Sequence, residues 1–249
     1  MTVFEPTSEE QVSGIVREAV SERRTLQVRG GGTRAVYRAE TGDILKTQGL
    51  AGVSLYEPGA LSLVVGAGTP LDEVESLLET ENQQLAFEPW DARSLTGSNG
   101  SPTIGGMVAT NASGPRRIQA GACRDSILGV RFVDGEGTIL KNGGRVMKNV
   151  TGLDLVKLLT GSRGTLGVIT EVALKVSPQP EVVSTLVLDD LDLPEAVGAM
   201  TAAMTTPFDV TASAHAPDGL EDKPVTLFRL EGFEASVRYR AGELAKALA

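Results

Sequence analysis

The order of apolar patterns along this chain predicts an α+β fold. Strand-like and helix-like segments are mixed along its 249 residues, without the regular alternation of a parallel βαβ series. The segment Pro178-Gln179-Pro180 interrupts the pattern and predicts a boundary between a larger domain, 1–180, and a smaller α+β region, 181–249. Because only 4% of the residues are aromatic, we expect a core built mainly from Val, Leu, Ile and Ala.

The first elements follow from hydrophobic periodicity and capping residues. A helix is predicted over 7–20, with Thr7 as its N-cap and Glu10 completing a capping box. Its apolar face consists of Val12, Ile15, Val16, Ala19 and Val20. A short strand over 25–28 then leads directly into a glycine-rich loop.

The remaining elements continue the mixture of strands and helices. Short strands are predicted at 44–45, 53–56 and 61–66, and a helix opens at Thr69-Pro70, with Thr69 as its N-cap and Pro70 in its first turn. The turn at 134–137 predicts a hairpin between strands 127–133 and 138–141. A helix at 154–159 and a strand at 166–176 complete the larger domain. Beyond 182 we expect strand, helix, strand, strand and helix, with the chain still helical over 240–249.

Charge and cysteine content exclude several classes of function. A net charge of −9 argues against a nucleic-acid surface, which needs a concentrated basic face. Neither a secretory signal nor an apolar run of about 18 residues is visible, so we expect a cytoplasmic protein, with any membrane association provided by partner subunits. The single cysteine, Cys123, excludes a disulfide framework and a cysteine-rich metal or iron–sulfur site within this chain.

The segment 96–117 carries the strongest functional signal. It contains five glycines, many small polar side chains and, at its end, Arg116 and Arg117. With so little apolar side-chain area, we expect it to form a loop rather than part of the core. Its exposed amides and its two cations suit a phosphate-bearing cofactor.

Two further glycine-rich segments support the same interpretation, although each has a structural alternative. Arg29-Gly-Gly-Gly-Thr-Arg34 follows a strand and could cradle a pyrophosphate, or it could be a flexible turn. The segment 161–170 could hold a cofactor, or it could be a tight helix-to-strand connection. Neither a P-loop nor a Gly-x-Gly-x-x-Gly motif is present, so a nucleotide must be held in another way.

Six motifs together resemble the FAD-binding (PCMH-type) domain of the vanillyl-alcohol oxidase and p-cresol methylhydroxylase flavoproteins, and within that family the FAD-binding subunits of glycolate oxidase. They are Arg-Gly-Gly-Gly-Thr (29–33), Thr-Ile-Gly-Gly (103–106), Thr-Asn-Ala-Ser-Gly-Pro-Arg-Arg (110–117), Arg-Asp-x-x-Leu-Gly-Val-Arg (124–131), Gly-Gly-Arg-Val-Met-Lys-Asn-Val (143–150) and Gly-Thr-Leu-Gly-Val-Ile-Thr (164–170). The resemblance covers nearly all of 1–180. It implies a two-subdomain fold, with subdomains at about 1–58 and 59–180, and an incomplete cap-like region over 181–249.

The resemblance also implies a site for FAD. The first loop would hold the pyrophosphate, 103–106 and 111–114 would line the flavin and ribityl side, and 164–169 would meet the adenine end. Arg117 is the candidate charge partner for phosphate or flavin, and Arg116 is the alternative. The site residues on this basis are Arg29, Gly30, Gly31, Gly32, Thr33, Arg34, Thr103, Ile104, Gly105, Gly106, Thr110, Asn111, Ser113, Gly114, Arg117, Gly164, Thr165, Gly167, Val168 and Ile169.

Some positions depart from the family pattern. Ala120 and Leu153 stand where family members often have aromatic residues, which puts contacts on the substrate side in doubt. The first loop contains neither the histidine nor the cysteine that covalent members of the family use, so we expect non-covalent FAD. We expect no bound metal.

The sequence does not identify a catalytic base. His215 is the only histidine, and a lone histidine is more often a surface or hydrogen-bonded core residue than a catalyst. Cys123 could be a reactive thiol but is more typical of a small buried hydrophobe, and Lys148 could meet an anion but is more typical of an exposed lysine. The resemblance implies a second flavoprotein subunit that holds the 2-hydroxy acid substrate, and an iron–sulfur subunit for electron exit.

Three functions are therefore weighed. The first is an FAD-binding subunit of a glycolate (2-hydroxy acid) oxidase or dehydrogenase. The second is a stand-alone FAD-dependent oxidoreductase acting on another substrate. The third is a non-catalytic accessory subunit whose cofactor loops have decayed.

Overall fold

The protein divides into two compact units. The computed structural model describes residues 1–34, 42–145, 152–219 and 223–248. The first unit comprises Met1–Gly114 and Gly121–Ser177, and the second comprises Pro115–Ala120 and Pro178–Ala249. The domain and subdomain limits inferred from the sequence stay predictions.

The first unit begins with a three-stranded parallel sheet. Its strands are β1 (Val3–Phe4), β2 (Leu26–Arg29) and β3 (Asp43–Lys46), in the order β1-β3-β2. Between β1 and β2 runs helix α1, Glu9–Ser21, whose N-cap is Ser8 rather than the predicted Thr7, because the Ser8 hydroxyl accepts the Gln11 amide.

The predicted apolar face of α1 is correct except at its last position. Val12 and Val16 are buried against Leu45, but Val20 is 57% exposed. Val20 lies in the last turn of the helix and faces solvent, so this part of the prediction was wrong.

The first unit continues with a five-stranded antiparallel sheet in the order β4-β5-β9-β7-β8. Alternate side chains of its central strands, such as Leu63 and Val172, form the main core. The hairpin predicted at 134–137 is confirmed, since it joins β7 to β8. The strands are β4 (Val53–Glu57), β5 (Ser62–Gly66), β7 (Ile127–Val133), β8 (Ile139–Gly143) and β9 (Val168–Lys175).

Short helices connect these strands, and several of them pack on the core face of the sheet. The second helix begins at Leu71 with Pro70 as its N-cap; the predicted cap, Thr69, instead donates its hydroxyl to the Gly66 carbonyl. These elements are a 3₁₀ turn (Pro58–Ala60), α2 (Leu71–Glu79), the two-residue strand β6 (Gln83–Gln84), α3 (Arg93–Thr96), α4 (Ile104–Ala109), α6 (Cys123–Ser126) and α7 (Leu155–Leu159).

The glycine-rich segment 96–117 is not a single loop, contrary to the prediction. Helix α4 lies in its middle, and Ile104, Met107 and Val108 from this helix are fully buried in the main core. Their i, i+3, i+4 spacing places them on one face of a helix. The segment therefore contributes to the core as well as to the surface.

The second unit has the predicted order of strand, helix, strand, strand and helix. Its antiparallel sheet has the order β11-β13-β12, and Phe228 and Leu230 of the middle strand pack in the core of the unit. The elements are α5 (Arg117–Ala120), β10 (Ser177–Pro178, at the junction with the first unit), β11 (Val182–Asp189), α8 (Leu193–Met204), β12 (Ala212–Ala216), β13 (Val225–Gly232) and α9 (Glu234–Leu248).

Candidate cofactor-binding site

Three glycine-rich segments far apart in the sequence meet in the first unit. A β-carbon added to Gly30 would lie 2.3 Å from the Thr103 hydroxyl oxygen, at the start of α4. A β-carbon added to Gly164 would lie 3.1 Å from the β-carbon of Val28, just before the first loop. The predicted site residues of the first unit therefore come from segments that touch one another.

The first loop, 30–34, turns sharply at the end of β2. Gly32 has φ +69°, a conformation that favours glycine. Thr33 is buried, and its carbonyl accepts a hydrogen bond from the Thr96 hydroxyl at 2.9 Å. The loop is thus fixed by its neighbours rather than free to sample many conformations, against the flexible-turn alternative.

Arg34 is the one side chain of this loop with unsatisfied buried donors. Its guanidinium lies over the Trp90 ring, 5.5 Å from the ring centre, and Nη2 donates to the Trp90 carbonyl at 2.5 Å. Nε and Nη1 are buried, and no hydrogen-bond partner for them lies in the described residues. Burial lowers the pKa of Arg34, although nearby Asp91 opposes the effect. A cation held in this way has two donors available for an anion.

Trp90 was not predicted from the sequence as a residue of this site. It lies 56 residues from Arg34, in a stretch without regular periodicity, and only a cation–π contact in the folded chain joins the two side chains. No local signal could have paired them.

The Thr103–Gly106 motif forms the start of α4. The Thr103 hydroxyl accepts the Gly106 amide at 3.3 Å, as an N-cap does. Gly105 packs directly on the preceding strand segment: its amide donates to the Ala67 carbonyl at 2.7 Å, and an added β-carbon would lie 2.8 Å from that of Ala67. This packing requires glycine at position 105 whether or not a ligand binds. A β-carbon added to Gly106 would contact only the Thr103 hydroxyl.

Side chains over 110–114 are largely occupied within the protein. The Thr110 hydroxyl donates to the Gly106 carbonyl, and the Asn111 side-chain oxygen accepts the Arg124 amide at 2.9 Å. The Ser113 hydroxyl accepts the Cys123 amide, also at 2.9 Å. A ligand here would therefore meet backbone more than side chains.

The third segment has the backbone conformations that its glycines allow. Gly164 and Gly167 have φ +75° and +152°, and a β-carbon on Gly167 would lie 2.7 Å from the Val133 carbonyl oxygen. Val168 and Ile169 send their side chains into the apolar cores, so a ligand could meet only their main-chain groups. The Thr165 hydroxyl donates to the Ser162 carbonyl at 2.7 Å.

Ser162 was not among the predicted site residues, yet its hydroxyl is buried and makes no hydrogen bond within the described residues. The sequence feature that could have identified Ser162 was its position inside the 161–170 motif. It gives the third segment an unsatisfied polar atom, as Arg34 does for the first.

The two adjacent arginines have different environments. Arg117, the preferred charge partner in the sequence interpretation, is exposed at the start of α5 and is assigned to the second unit, whereas the other predicted site residues are assigned to the first. The Arg116 side chain is only 8% exposed and pairs with Glu231 at 2.6 Å. Of the 143–150 motif, residues 146–150, including Lys148, lie outside the described residues.

The remaining nucleophile and base candidates do not form a catalytic pair. Cys123 is fully buried, and burial raises the pKa of its thiol to about 12, which favours the small buried hydrophobe. His215 is in the second unit, where its Nδ1 lies 3.0 Å from the Thr226 hydroxyl. In the described ranges, no three His, Cys, Asp or Glu side chains are grouped as a metal ion would require. Nor does any helix there have the length and apolar character needed to cross a membrane.

These loops on a mixed sheet scaffold define an FAD-binding module, and comparison with known proteins agrees. The sequence profile of the FAD binding domain family matches residues 2–143, more than half of the chain. The chain belongs to this family of flavoprotein domains, as the sequence motifs predicted.

The chain is also similar to individual flavoproteins and their subunits. It is 36% identical over 224 residues to the glycolate oxidase subunit GlcE of Escherichia coli, covering 90% of this chain and 60% of the relative. It is 32% identical to the glycolate oxidase subunit GlcD of Bacillus subtilis, covering 90% and 46%. It is also 32% identical to a D-lactate dehydrogenase of Archaeoglobus fulgidus, covering 71% and 39%. The chain thus spans 60% or less of the length of these relatives.

A solved structure of alkyldihydroxyacetonephosphate synthase shares the fold. It superposes with a TM-score of 0.78 at 20% identity and covers 99% of this chain and 50% of its own. The predicted fold class, α+β of the PCMH type, is confirmed.

Proposed function

We propose that this chain is the FAD-binding subunit of a glycolate-type (2-hydroxy acid) oxidase or dehydrogenase. The observation that carries the proposal is the location of unsatisfied buried polar atoms. Arg34 Nε and Nη1 and the Ser162 hydroxyl lie in two of the three glycine-rich segments of a domain whose family binds FAD. Buried polar groups in proteins are normally hydrogen-bonded, so a ligand that satisfies these atoms is expected here.

The residues fit a dinucleotide. The amides of 30–34 and the Arg34 guanidinium would hold the pyrophosphate, since a half-buried cation pairs strongly with phosphate. The α4 start and the 111–114 backbone would line the flavin and ribityl portion, and the main chain of 164–169 would meet the adenine. FAD, when bound, supplies an acceptor for hydride and a relay for electrons.

Non-covalent attachment is part of the proposal. The first loop contains no histidine or cysteine, and the Cys123 thiol is buried and protonated at neutral pH. Acid precipitation of the loaded protein should therefore release all of the flavin into the supernatant. Flavin that stays with the precipitated protein would contradict this expectation.

Oxidation of a 2-hydroxy acid also needs a base for the hydroxyl proton. In the part of the chain that the structure describes, His215 is in the second unit and bonds to Thr226. The Cys123 amide bonds to Ser113, but the Cys123 thiol is buried and protonated, so neither side chain supplies this base. We therefore assign the substrate to a second flavoprotein subunit and electron exit to an iron–sulfur subunit. The similarity to two glycolate oxidase subunits, GlcE and GlcD, supports such a division. A cytoplasmic complex, associated with a membrane only through its partners, is the corresponding location.

The test is FAD binding by the purified chain. Wild type should bind FAD, and Arg34→Met should bind it at least roughly tenfold more weakly, since a lost charged hydrogen bond is worth about 1.5–3 kcal/mol. Arg238→Met removes an equal charge from an exposed surface pair and should leave binding unchanged. A wild-type chain that neither binds nor is stabilised by FAD would support the non-catalytic accessory subunit. Turnover of glycolate with a dye acceptor by the isolated chain would support the stand-alone enzyme.

A further inference from the structure

A six-residue segment of the first unit's sequence belongs structurally to the second unit. Pro115–Ala120, here called the strap, is grouped with the second unit, although the residues on both sides of it are in the first. Gly114, the residue just before the strap, is held in place. Its amide donates to the Phe87 carbonyl at 2.8 Å, and a β-carbon added to it would lie 2.5 Å from the Glu88 carbonyl oxygen. At its other end, Gly121 adopts φ +82°.

Arg116 is the buried anchor of the strap. Its side chain is 8% exposed, whereas Arg117, Ile118 and Gln119 are all exposed. Arg116 Nη2 lies 2.6 Å from Oε1 of Glu231, whose side chain is 7% exposed.

Glu231 is held from several sides. The Nε of Arg229 lies 3.1 Å from the same Oε1 atom, and Arg240 Nη2 donates to the Glu231 carbonyl at 2.7 Å. The carboxylate that receives Arg116 is therefore part of a rigid strand end, not a mobile surface group.

We propose that Arg116 is a positioning residue for the cofactor loop 111–114, acting through its ion pair with Glu231. The proposal rests on the proposed function, which places this loop beside the flavin. The loop reaches the strap without an intervening residue, so anchoring the strap limits the conformations open to the loop. A backbone that is already ordered loses less entropy when it binds a ligand. Breaking the ion pair then weakens FAD binding without removing any group that touches FAD.

Hydrogen exchange of the full chain without FAD tests the positioning role directly. The amides of Asn111, Ala112 and Gly114 are hydrogen-bonded and serve as probes. In Glu231→Gln and in Arg116→Met, these amides should exchange roughly tenfold faster, while amides of β9 keep their wild-type rates. The control is Glu234→Gln, three residues away, which removes an exposed carboxylate paired with Arg238.

FAD affinity is the second readout. The same variants should raise the dissociation constant for FAD by about tenfold, equivalent to about 1.4 kcal/mol. Arg116→Lys keeps the charge and should retain most of the protection from hydrogen exchange and most of the FAD affinity. If the effects of Arg116→Met came from general misfolding, keeping the charge would not restore them. Circular dichroism verifies that the variants keep the secondary structure of the wild-type chain.

The outcomes separate the two proposals. If wild type binds no FAD, the proposed function fails, and exchange at 111–114 still decides the positioning role. If wild type binds FAD and both variants match it in exchange and affinity, the positioning role of Arg116 is overturned. Equal effects in Glu234→Gln would overturn it as well.

Discussion

Gly31 and Gly100 contact each other through their backbones. A β-carbon on Gly100 would lie 1.9 Å from the Gly31 carbonyl oxygen, and one on Gly31 would lie 1.6 Å from the carbonyl oxygen of Ser101. Neither position has room for any side chain, because the obstructing atoms are backbone. The first loop and the segment before α4 are therefore locked together before any ligand enters.

Gly31→Ala should separate these two segments. Relief of the overlap requires backbone shifts, so we expect a loss of about 1–3 kcal/mol in unfolding free energy and a clear fall in bound flavin. Denaturant unfolding and the flavin-to-protein absorbance ratio measure the two effects. Gly59→Ala is the control, since nothing lies within 4 Å of its added β-carbon. Wild-type stability and flavin content in Gly31→Ala would show that the loop contact is misplaced.

The fluorescence of Trp90 should report FAD binding. It is the only tryptophan in the chain, and its ring supports Arg34. We expect titration with FAD to quench its emission. Trp90→Leu, followed by flavin absorbance, should weaken binding about two- to fivefold, because an exposed cation–π contact is worth about 0.5–1 kcal/mol. Emission that is unaffected at saturating FAD would place the pyrophosphate elsewhere.

Glu9 should make the first unit sensitive to acid. Hydrogen bonding to Arg131 lowers the pKa of Glu9, and a hydrogen bond from Thr170 lowers it further, while burial opposes both. The folded state thus binds this proton more weakly than the unfolded state does. The stabilisation is fully present above the usual pKa of 4.5 and is lost as pH falls through the lowered value.

The check is unfolding of Glu9→Gln between about pH 6 and about pH 3. The variant should be less stable than wild type at the higher pH and should lose less stability on acidification. Thr170→Val, which removes only the hydroxyl, should lie between them. Parallel stability curves for wild type and Glu9→Gln would rule out this role for Glu9.

Cys123 should resist alkylation in the folded protein. A thiol with a pKa of about 12 is ionised to roughly one part in ten thousand at pH ~8, and its side chain is inaccessible. Labelling with iodoacetamide should therefore proceed only as fast as the protein opens, and mild denaturant should accelerate it. Rapid stoichiometric labelling of the native chain would restore the reactive-thiol interpretation.

Much of this fold was readable from the sequence because its strands and longer helices are periodic. The hairpin at 134–137 and the element order beyond residue 182 are correct for this reason. Helix α4 was not foreseen, since six residues containing two glycines give almost no periodic signal. Its Ile104, Met107 and Val108 are core residues only because the chain around them folds as a helix.

The glycine-rich segments were recognisable as a set, whereas their pairings depend on tertiary contacts. Glycine clusters marked 29–34 and 164–170 as candidate binding segments. No local sequence pattern pairs Arg34 with Trp90 or shows that the Ser162 hydroxyl has no hydrogen-bond partner within the described residues. Arg116 and Arg117 are adjacent, and of the two it is Arg116 that is buried and paired with the distant Glu231. The sequence alone could not distinguish their roles.

Pairing of Arg116 with Glu231 also imposes an order on folding during synthesis. The two residues are 115 positions apart, so at about 5–20 residues per second Arg116 waits roughly 6–23 seconds on the ribosome for its carboxylate. The rest of the first unit, Gly121–Ser177, is made within that interval, while the strap has no anchor. The ion pair that anchors the strap therefore forms only after the first unit has been made, and a pause in translation before residue 231 would delay it.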